Sequence, residues 1–190
     1  AVWSWNTALA LVCGNAMIWK PSGKTPLTAL ACGALLDRAL ARFGDAPEGL
    51  HQILIGGRAV GEALAASPDV PLGSATGSTA MGRALAPVVA ARFGRSILEL
   101  GGNNAMIVDE TADLKLAIPA IVFGAVGTAG QRCTTTRRVF IHETIFEDVV
   151  AKLITAYKQV ETKIGDPTLP TTLMGPLTDK ATVQRFLGVL

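Results

Sequence analysis

Residues 72–102 read LGSATGSTAMGRALAPVVAARFGRSILELGG, and this stretch contains the pattern that decides the fold. A short apolar run from Leu72 to Ala75 is followed by a turn rich in small polar residues, a helical stretch to about Phe93 and a strand-like run from Ser96 to Leu100. A strand, a helix and a second strand in this order are typical of a βαβ unit, whose two strands are parallel. We therefore expect an α/β fold with a parallel sheet that helices cover on both faces.

The same alternation extends toward both ends of the chain. Before residue 72 it predicts helices at 4–13, 27–43 and 60–66 and strands at 16–19 and 52–55, with Thr25 as the N-cap and Pro26 in the first turn of the second helix. After Gly102 it predicts strands at 105–108 and 138–142 and helices at 114–126 and 145–162. Pro119 conflicts with the helix at 114–126, so we expect that helix either to bend or to begin near the proline.

Composition limits the classes of partner. Hydrophobic residues make up 49% of the chain and charged residues 17%, which is typical of a globular protein. The net charge of +2 is too small to indicate a nucleic-acid partner. Residues 1–19 are apolar, but they lack a basic start and contain Asn6, Gly14 and Asn15, so we expect core rather than a signal peptide or a membrane span. The expected partners are small molecules or other protein chains.

Three cysteines at irregular spacing favour a reducing compartment over a disulfide scaffold. Together with the missing signal, they lead us to expect a cytoplasmic protein. Cys13 and Cys32 have apolar, helix-like neighbours, and we expect both in the core. His51 and His142 show no metal-ligand spacing with the cysteines, so we expect no metal site.

Cys133 has different surroundings. It lies in residues 124–140, GAVGTAGQRCTTTRRVF, among Gly127, Gly130 and Arg132. Glycines give a flexible backbone, and positive charge favours the thiolate, which is the nucleophilic form of cysteine. A reactive cysteine is one interpretation, and a packed or incidental cysteine is the alternative.

Residues at the ends of the predicted strands indicate a ligand site, because parallel sheets bind ligands at the carboxyl ends of their strands. Gly77-Ser78-Thr79-Ala80-Met81-Gly82 opens a helix, where free N–H groups bind phosphate; a glycine-rich helix start without a ligand is the alternative. Arg83 and Ala84 follow it, instead of the Lys and Ser or Thr of a nucleoside triphosphatase loop. Lys20 ends another strand, where it either contacts a ribose or phosphate or is a solvated loop lysine.

Glu99 lies between apolar residues beside Gly101-Gly102. We expect it to be partly buried, and desolvation would raise its pKa toward the range of a general base. A salt bridge to Arg95 or to another basic group is the alternative. A thiol nucleophile, a carboxylate base and a phosphate-binding turn together indicate covalent catalysis assisted by a dinucleotide.

Four motifs in order, WKPSGKTPLTAL, ATGSTAMG, LELGGNNAMIV and GTAGQRCTTTRR, resemble those of NAD(P)-dependent aldehyde dehydrogenases. The resemblance covers all 190 residues and favours the branch that contains α-aminoadipic semialdehyde dehydrogenase and piperidine-6-carboxylate dehydrogenase. It implies a Rossmann-like dinucleotide-binding domain in residues 1–100 and the start of an α/β catalytic domain in residues 101–190. Both domains would be incomplete parts of a longer, homo-oligomeric enzyme, a tetramer in this family.

The resemblance also implies roles for single residues. Cys133 would add to the carbon of an aldehyde, α-aminoadipic semialdehyde or a related one, and Glu99 would activate the water that releases the carboxylic acid. The implied cofactor is NAD. NADP is left open, because the family often has a glutamate three positions after the ribose-binding lysine, here Lys20, and Gly23 stands at that position. The implied cofactor-binding residues are Lys20, Gly57, Gly77, Ser78, Thr79, Gly82 and Leu100.

Two alternatives stay open at this point. One is an acylating, coenzyme A-dependent dehydrogenase of the same superfamily, against which Glu99 argues because acyl transfer to coenzyme A needs no water-activating base. The other is a non-catalytic or truncated relative that only binds cofactor.

Overall fold

Helices and short parallel strands alternate along the chain, as the sequence predicts. The structure is a computed structural model that describes residues 2–190. The strands are β1 Met17–Trp19, β2 His51–Ile53, β3 Leu72–Thr76, β4 Arg95–Glu99, β5 Asn104–Val108 and β6 Thr136–Ile141. The helices are α1 Val2–Val12, α2 Pro26–Phe43, α3 Arg58–Ala66, α4 Thr79–Ala91, α5 Leu114–Val126, α6 Phe146–Glu161 and α7 Lys180–Leu187. The chain divides after Leu100 into two compact units.

The strands pair two by two. β1 pairs with β2, β3 with β4 and β5 with β6, each pair parallel. Parallel pairing is thus confirmed, but the expected cover on both faces is not found in these residues. Ile107 on β5 is 80% exposed and its cross-strand partner Phe140 on β6 is 53% exposed, so one face of that pair carries uncovered apolar side chains.

The ends of α2 and the start of α5 follow local chemistry, except at the N-cap of α2. α2 begins with Pro26 in its first turn and ends at Gly44, whose φ of 82° and N–H bond to the Leu40 carbonyl form a left-handed C-cap. Thr25 lies at the predicted N-cap position, but its side chain makes no capping hydrogen bond. α5 begins at Leu114, capped by the Asp113 side chain, so the helix does not begin near Pro119.

In the first unit an aromatic cluster joins α1 to the β1–β2 pair. The Trp3 and Trp19 rings stack with centroids 4.9 Å apart. Trp3 Nε1 donates a hydrogen bond of 3.0 Å to Nε2 of His51, which is buried. The rest of α1 contradicts the expectation of core for residues 1–19, because Trp5, Leu9 and Val12 are all more than half exposed.

The cysteines are all free, but two of them lie elsewhere than predicted. Cys13 is exposed, directly after the last residue of α1, and Cys32 on α2 is half-buried. The expectation that both are core residues is therefore wrong for Cys13 and only partly right for Cys32. The helical neighbours that are apolar in sequence do not surround Cys13 in space, because α1 itself is largely exposed.

The second unit has its core between α5 and α6. Val122 and Val126 of α5 and Val160 of α6 are buried, with Leu153, Ala156 and Met174 packed against them. In residues 2–190 no helix is long and apolar enough to cross a membrane.

Buried His51 makes the stability of the first unit depend on pH. Burial lowers its pKa, against an opposing effect of the Asp37 charge. Neutral His51 accepts the Trp3 N–H, and the unfolded chain binds a proton more readily than the folded one. This contribution to stability is therefore complete above the ordinary histidine pKa of about 6.5 and is lost as the pH falls toward the lower folded value. Melting temperatures measured between about pH 8 and pH 5 should fall on acidification.

His51→Gln keeps an acceptor for Trp3 without a titrating ring, so we expect it to reduce that fall. His142→Gln, at the other, more exposed histidine, should leave it in place. Equal acid sensitivity of wild type and His51→Gln would show that His51 is not the titrating group.

Candidate active site

Cys133 lies in a tight turn just before β6. The turn is closed by the Thr135 N–H, which donates to the Arg132 carbonyl at 3.3 Å, and by the Arg132 N–H, which donates to Thr135 Oγ1 at 3.1 Å. Thr135 is buried and anchors the turn, while Cys133 is exposed, as its surroundings in the sequence predict. An exposed thiol on a firmly closed turn is a geometry that a nucleophile needs.

Asn104, the first residue of β5, holds this turn from the neighbouring strand. Its Nδ2 donates to the carbonyl oxygen of Cys133 at 2.6 Å and to that of Thr135 at 3.0 Å. Gly102 lies against the same group, since a Cβ there would be 2.8 Å from Asn104 Oδ1 and 3.5 Å from the Cys133 carbonyl oxygen. Any larger residue at position 102 would therefore push Asn104 out of place.

The backbone before Cys133 is strained. Thr128 and Ala129 have φ values of 52° and 53°, in the left-handed region that costs a non-glycine residue roughly 1–2 kcal/mol. Arg132 Nε donates to Thr128 Oγ1 at 3.0 Å, and its guanidinium lies 5.6 Å from the centre of the Phe123 ring. The Arg132 side chain thus stabilises the strained segment. Arg132 is also the residue directly before Cys133, so it brings a positive charge to this turn.

Gln131 ties the turn to a distant segment. Its Nε2 donates to the Thr128 carbonyl at 3.0 Å, and its Oε1 accepts from the backbone N–H and the hydroxyl of Thr178 at 2.9 and 2.5 Å. No local pattern in the sequence indicates this contact, because the two residues are 47 positions apart.

Two backbone donors at the turn have no protein acceptor among the described residues: the N–H groups of Cys133 and Thr134. Free N–H groups beside a nucleophile can stabilise the negative oxygen that forms when the nucleophile adds to a carbonyl. Sequence reasoning did not find this feature, which depends on the turn geometry.

Glu99 is the last residue of β4, and its side chain is exposed. The expectation that Glu99 is partly buried is therefore wrong. The alternative, an ion pair with Arg95, does not form either, and Glu99 takes part in none of the ion pairs within residues 2–190. The carboxylate is free to contact solvent or a ligand.

The turn at residues 77–82 opens α4. Ser78 is its N-cap, and Ser78 Oγ accepts the Met81 N–H at 3.1 Å. The Gly77 N–H donates to the Glu99 carbonyl at 2.9 Å, and the Gly82 N–H to the Ser78 carbonyl at 3.0 Å. Among the first-turn amides of the described helix, those of Thr79 and Ala80 are left without an acceptor and can bind an anion.

Gly77 and Gly82 have packing roles that the sequence did not reveal. A Cβ at Gly77 would lie 2.9 Å from the sulfur of Met81, and one at Gly82 would lie 2.7 Å from a methyl carbon of Leu100. Leu100 thus packs directly against α4. Gly77, Gly82 and Leu100 shape the turn, and their contact with a cofactor stays a prediction.

Lys20 and Gly57 lie where β1 and β2 lead into the first turn of α3. Gly57 is the N-cap of α3, and the Lys20 side chain crosses that turn, with its Cδ 3.5 Å from the place of a Cβ on Gly61. Lys20 Nζ donates to the Pro21 carbonyl at 2.9 Å. The structure brings these two predicted residues to the same end of one strand pair, as the ligand-site argument expects.

Comparison with known proteins decides the family. The model of the aldehyde dehydrogenase family matches residues 1–190. This chain belongs to the aldehyde dehydrogenase family.

Relatives of known identity within the family support the branch as well. The chain is 46% identical to α-aminoadipic semialdehyde dehydrogenase of Bos taurus over 190 residues, covering 100% of this chain and 35% of that protein. It is 46% identical to aldehyde dehydrogenase family 7 member A1 of Malus domestica over 186 residues, covering 98% and 36%. The chain therefore spans about a third of the length of these relatives.

Similar solved structures confirm the fold class. Betaine aldehyde dehydrogenase of Staphylococcus aureus, solved in complex with NAD⁺, superposes with a TM-score of 0.89 at 28% identity, covering 98% of this chain and 36% of that one. HpcC of Thermus thermophilus also gives a TM-score of 0.89, at 35% identity, covering 97% and 35%. The aldehyde dehydrogenase resemblance is thus confirmed, while the roles of single residues stay predictions.

The second unit also contains a cavity away from Cys133. An open apolar cavity of about 550 Å³ runs along α6 and is lined by Val126, Leu153, Tyr157, Ile164 and Met174, among others. Within residues 2–190, no group of three or more His, Cys, Asp or Glu side chains could hold a metal ion.

Ser78 offers a test of the anion-binding turn. Ser78→Ala removes the N-cap of α4 and should lower the free energy of unfolding by about 1 kcal/mol. Ser78→Asp keeps an acceptor for the Met81 N–H but places a negative charge beside the free amides, so we expect a stable protein with weakened NAD binding. Chemical denaturation and calorimetric titration with NAD measure the two effects separately.

The matched control is Asp113→Ala, which removes the N-cap of α5, where Asp113 accepts the Lys115 N–H at 2.8 Å. We expect it to lower stability without changing NAD affinity. NAD binding by Ser78→Asp as tight as that of wild type would contradict the assignment of this turn to a phosphate.

Proposed function

We propose that this chain is part of an enzyme that oxidises an aldehyde to a carboxylic acid with NAD as hydride acceptor. Exposed Cys133, held on a closed turn beside two free backbone N–H groups, is the observation that carries the proposal. Membership of the aldehyde dehydrogenase family along residues 1–190 supports it.

Cys133 acts as the nucleophile in this proposal. Its thiolate sulfur bonds to the aldehyde carbon, and the carbonyl oxygen takes the negative charge. The free N–H groups of Cys133 and Thr134 are available donors for that oxygen. Loss of hydride from the same carbon reforms the carbonyl and leaves the substrate attached to sulfur as a thioester.

Glu99 acts as the general base for the second half of the reaction. It removes a proton from water, whose oxygen bonds to the thioester carbon while the carbon–sulfur bond breaks. The products are the carboxylic acid and the Cys133 thiolate, and the enzyme returns to its starting state once Glu99 releases the proton to solvent. An exposed Glu99 without an ion-pair partner in the described residues has its carboxylate oxygens available for this task.

The residues of the first unit fit a dinucleotide. The free amides of Thr79 and Ala80 and the Ser78 hydroxyl suit a pyrophosphate at the start of α4, and Lys20 suits a ribose hydroxyl. NAD, when bound, supplies the hydride acceptor. A similar enzyme from Staphylococcus aureus was solved with NAD⁺ and a similar enzyme from E. coli is described as NADP dependent, so we propose NAD and leave NADP open.

The substrate class follows from the relatives. The bovine relative is named for α-aminoadipic semialdehyde, and we propose this compound or a related semialdehyde as the substrate of the whole enzyme. We further propose a cytoplasmic homo-oligomer, a tetramer, whose mass light scattering after size-exclusion chromatography would measure.

Substitutions of Cys133 and Glu99 in the full-length enzyme test the mechanism. Cys133→Ala should abolish NADH formation, because no covalent adduct can form, with a loss of at least about a thousandfold. Glu99→Gln should form about one NADH per active site in a rapid burst and then stall at the thioester. Stopped-flow absorbance of NADH with α-aminoadipic semialdehyde and with a simple alkyl aldehyde measures both outcomes.

Cys13→Ala and Glu48→Gln are the matched controls, since both remove an exposed group of the same type elsewhere in the chain. Steady turnover by Glu99→Gln at the wild-type rate would refute the role of Glu99. Product formation only in the presence of coenzyme A would favour the acylating alternative. Absence of NADH with either aldehyde, while Cys133 still alkylates, would refute the substrate class.

A further inference from the structure

We propose that Asn104 is a positioning residue for Cys133: its side-chain amide holds the Cys133 turn against β5 and thereby sets the direction of the free Thr134 N–H. This inference rests on the proposed function, because it takes Cys133 as the nucleophile. Asn104 itself does not touch the reacting atoms and acts through the backbone of the turn.

The hydrogen bonds of Asn104 fix two peptide groups at once. One amide group donates to the carbonyl oxygens of both Cys133 and Thr135, at 2.6 and 3.0 Å. Because a trans peptide is planar, its N–H points opposite to its C=O. Holding the Cys133 carbonyl on the Asn104 side therefore directs the Thr134 N–H to the opposite side of the turn.

The other contacts of the turn do not replace this one. The bonds between Arg132 and Thr135 close the turn on itself, and those of Arg132 and Gln131 to Thr128 brace the segment before it. Asn104 is the residue of β5 whose side chain bonds to the turn in the described structure. Without it the turn loses its side-chain hydrogen bonds to β5 and keeps those within itself and the bonds of Gln131 to Thr178.

The strand pairing places Asn104 for this task. Asn104 pairs with Thr136, but Ala105 pairs with Arg138, so β6 carries one extra residue at this point. Such a bulge bends a strand and redirects its side chains. Gly102 has no side chain, and this leaves room for the Asn104 amide beside the Cys133 carbonyl.

Asn103 provides a matched control. It is the same residue type at the neighbouring position, its side chain is exposed, and its backbone carbonyl accepts a 2.7 Å bond from Arg138. Asn103→Ala keeps that carbonyl, so it removes an asparagine side chain without affecting the turn.

The experiment compares Asn104→Ala, Asn104→Gln and Asn103→Ala in the full-length enzyme, each with Cys13 and Cys32 replaced by Ala. The first readout is NADH formation, resolved into kcat and the KM values for aldehyde and NAD. The second is the rate of Cys133 alkylation by iodoacetamide, followed by mass spectrometry, which requires no aldehyde oxidation. Melting temperatures confirm that each variant is folded under the assay conditions.

We expect Asn104→Ala to lower kcat and the alkylation rate by about fivefold to tenfold, as the loss of one or two hydrogen bonds allows. Both KM values should stay within about twofold, and Asn104→Gln, which keeps the amide, should recover part of the loss. Asn103→Ala should match wild type. A merely structural role would lower the melting temperature without this separation of kcat from KM.

Wild-type kcat and alkylation rate in Asn104→Ala would overturn the proposal, as would an equal loss in Asn103→Ala. If Asn104→Ala does not fold, Asn104→Asp, which has nearly the same volume and lacks the donors, decides in the same way. If wild type forms no NADH, the proposed function fails, and the alkylation rates still decide whether Asn104 positions Cys133.

Discussion

The parallel pairing of β5 with β6 is the interaction on which the candidate active site depends. Thr128 and Ala129 adopt left-handed backbone conformations that are unfavourable for residues with a side chain, so the segment before Cys133 would not keep this shape alone. Pairing of the two strands brings Asn104 within hydrogen-bond distance of the Cys133 turn. Contacts between residues far apart in sequence therefore hold a local geometry that the local sequence disfavours.

Most elements of the fold could be predicted from sequence because their signals are local. Proline and glycine mark the ends of α2, and every predicted strand lies within about two residues of the observed one. The grouping of strands could not be predicted, because pairing depends on distant residues. The helix at 114–126 runs through Pro119, and α4 contains Pro87, which the sequence analysis overlooked. In both helices the remaining residues favour the helix by more than the free energy lost with the one hydrogen bond that proline cannot donate.

The error over Glu99 has a simple geometric cause. Its apolar neighbours in sequence suggested a buried carboxylate, but adjacent side chains of a strand point to opposite faces. Leu98 is half-buried, whereas Ile97 and Glu99 are exposed on the other face of β4. Cys133 was predictable because glycine and arginine neighbours act through the backbone and through charge. Asn104 and Thr178 were not, because their contacts to the turn join separate segments.

The glycine spacing at the start of α4 shows how one pattern can arise from different physical needs. In a nucleoside triphosphatase loop, glycines let the backbone wrap a phosphate. Here the Gly77 N–H is already bonded to the Glu99 carbonyl, Gly77 leaves room for the Met81 side chain, and Gly82 leaves room for Leu100. The amides of Thr79 and Ala80 remain for an anion in the described turn. Two amides and one hydroxyl suit a pyrophosphate held in part by other residues, such as Lys20, better than a triphosphate enclosed by a single loop.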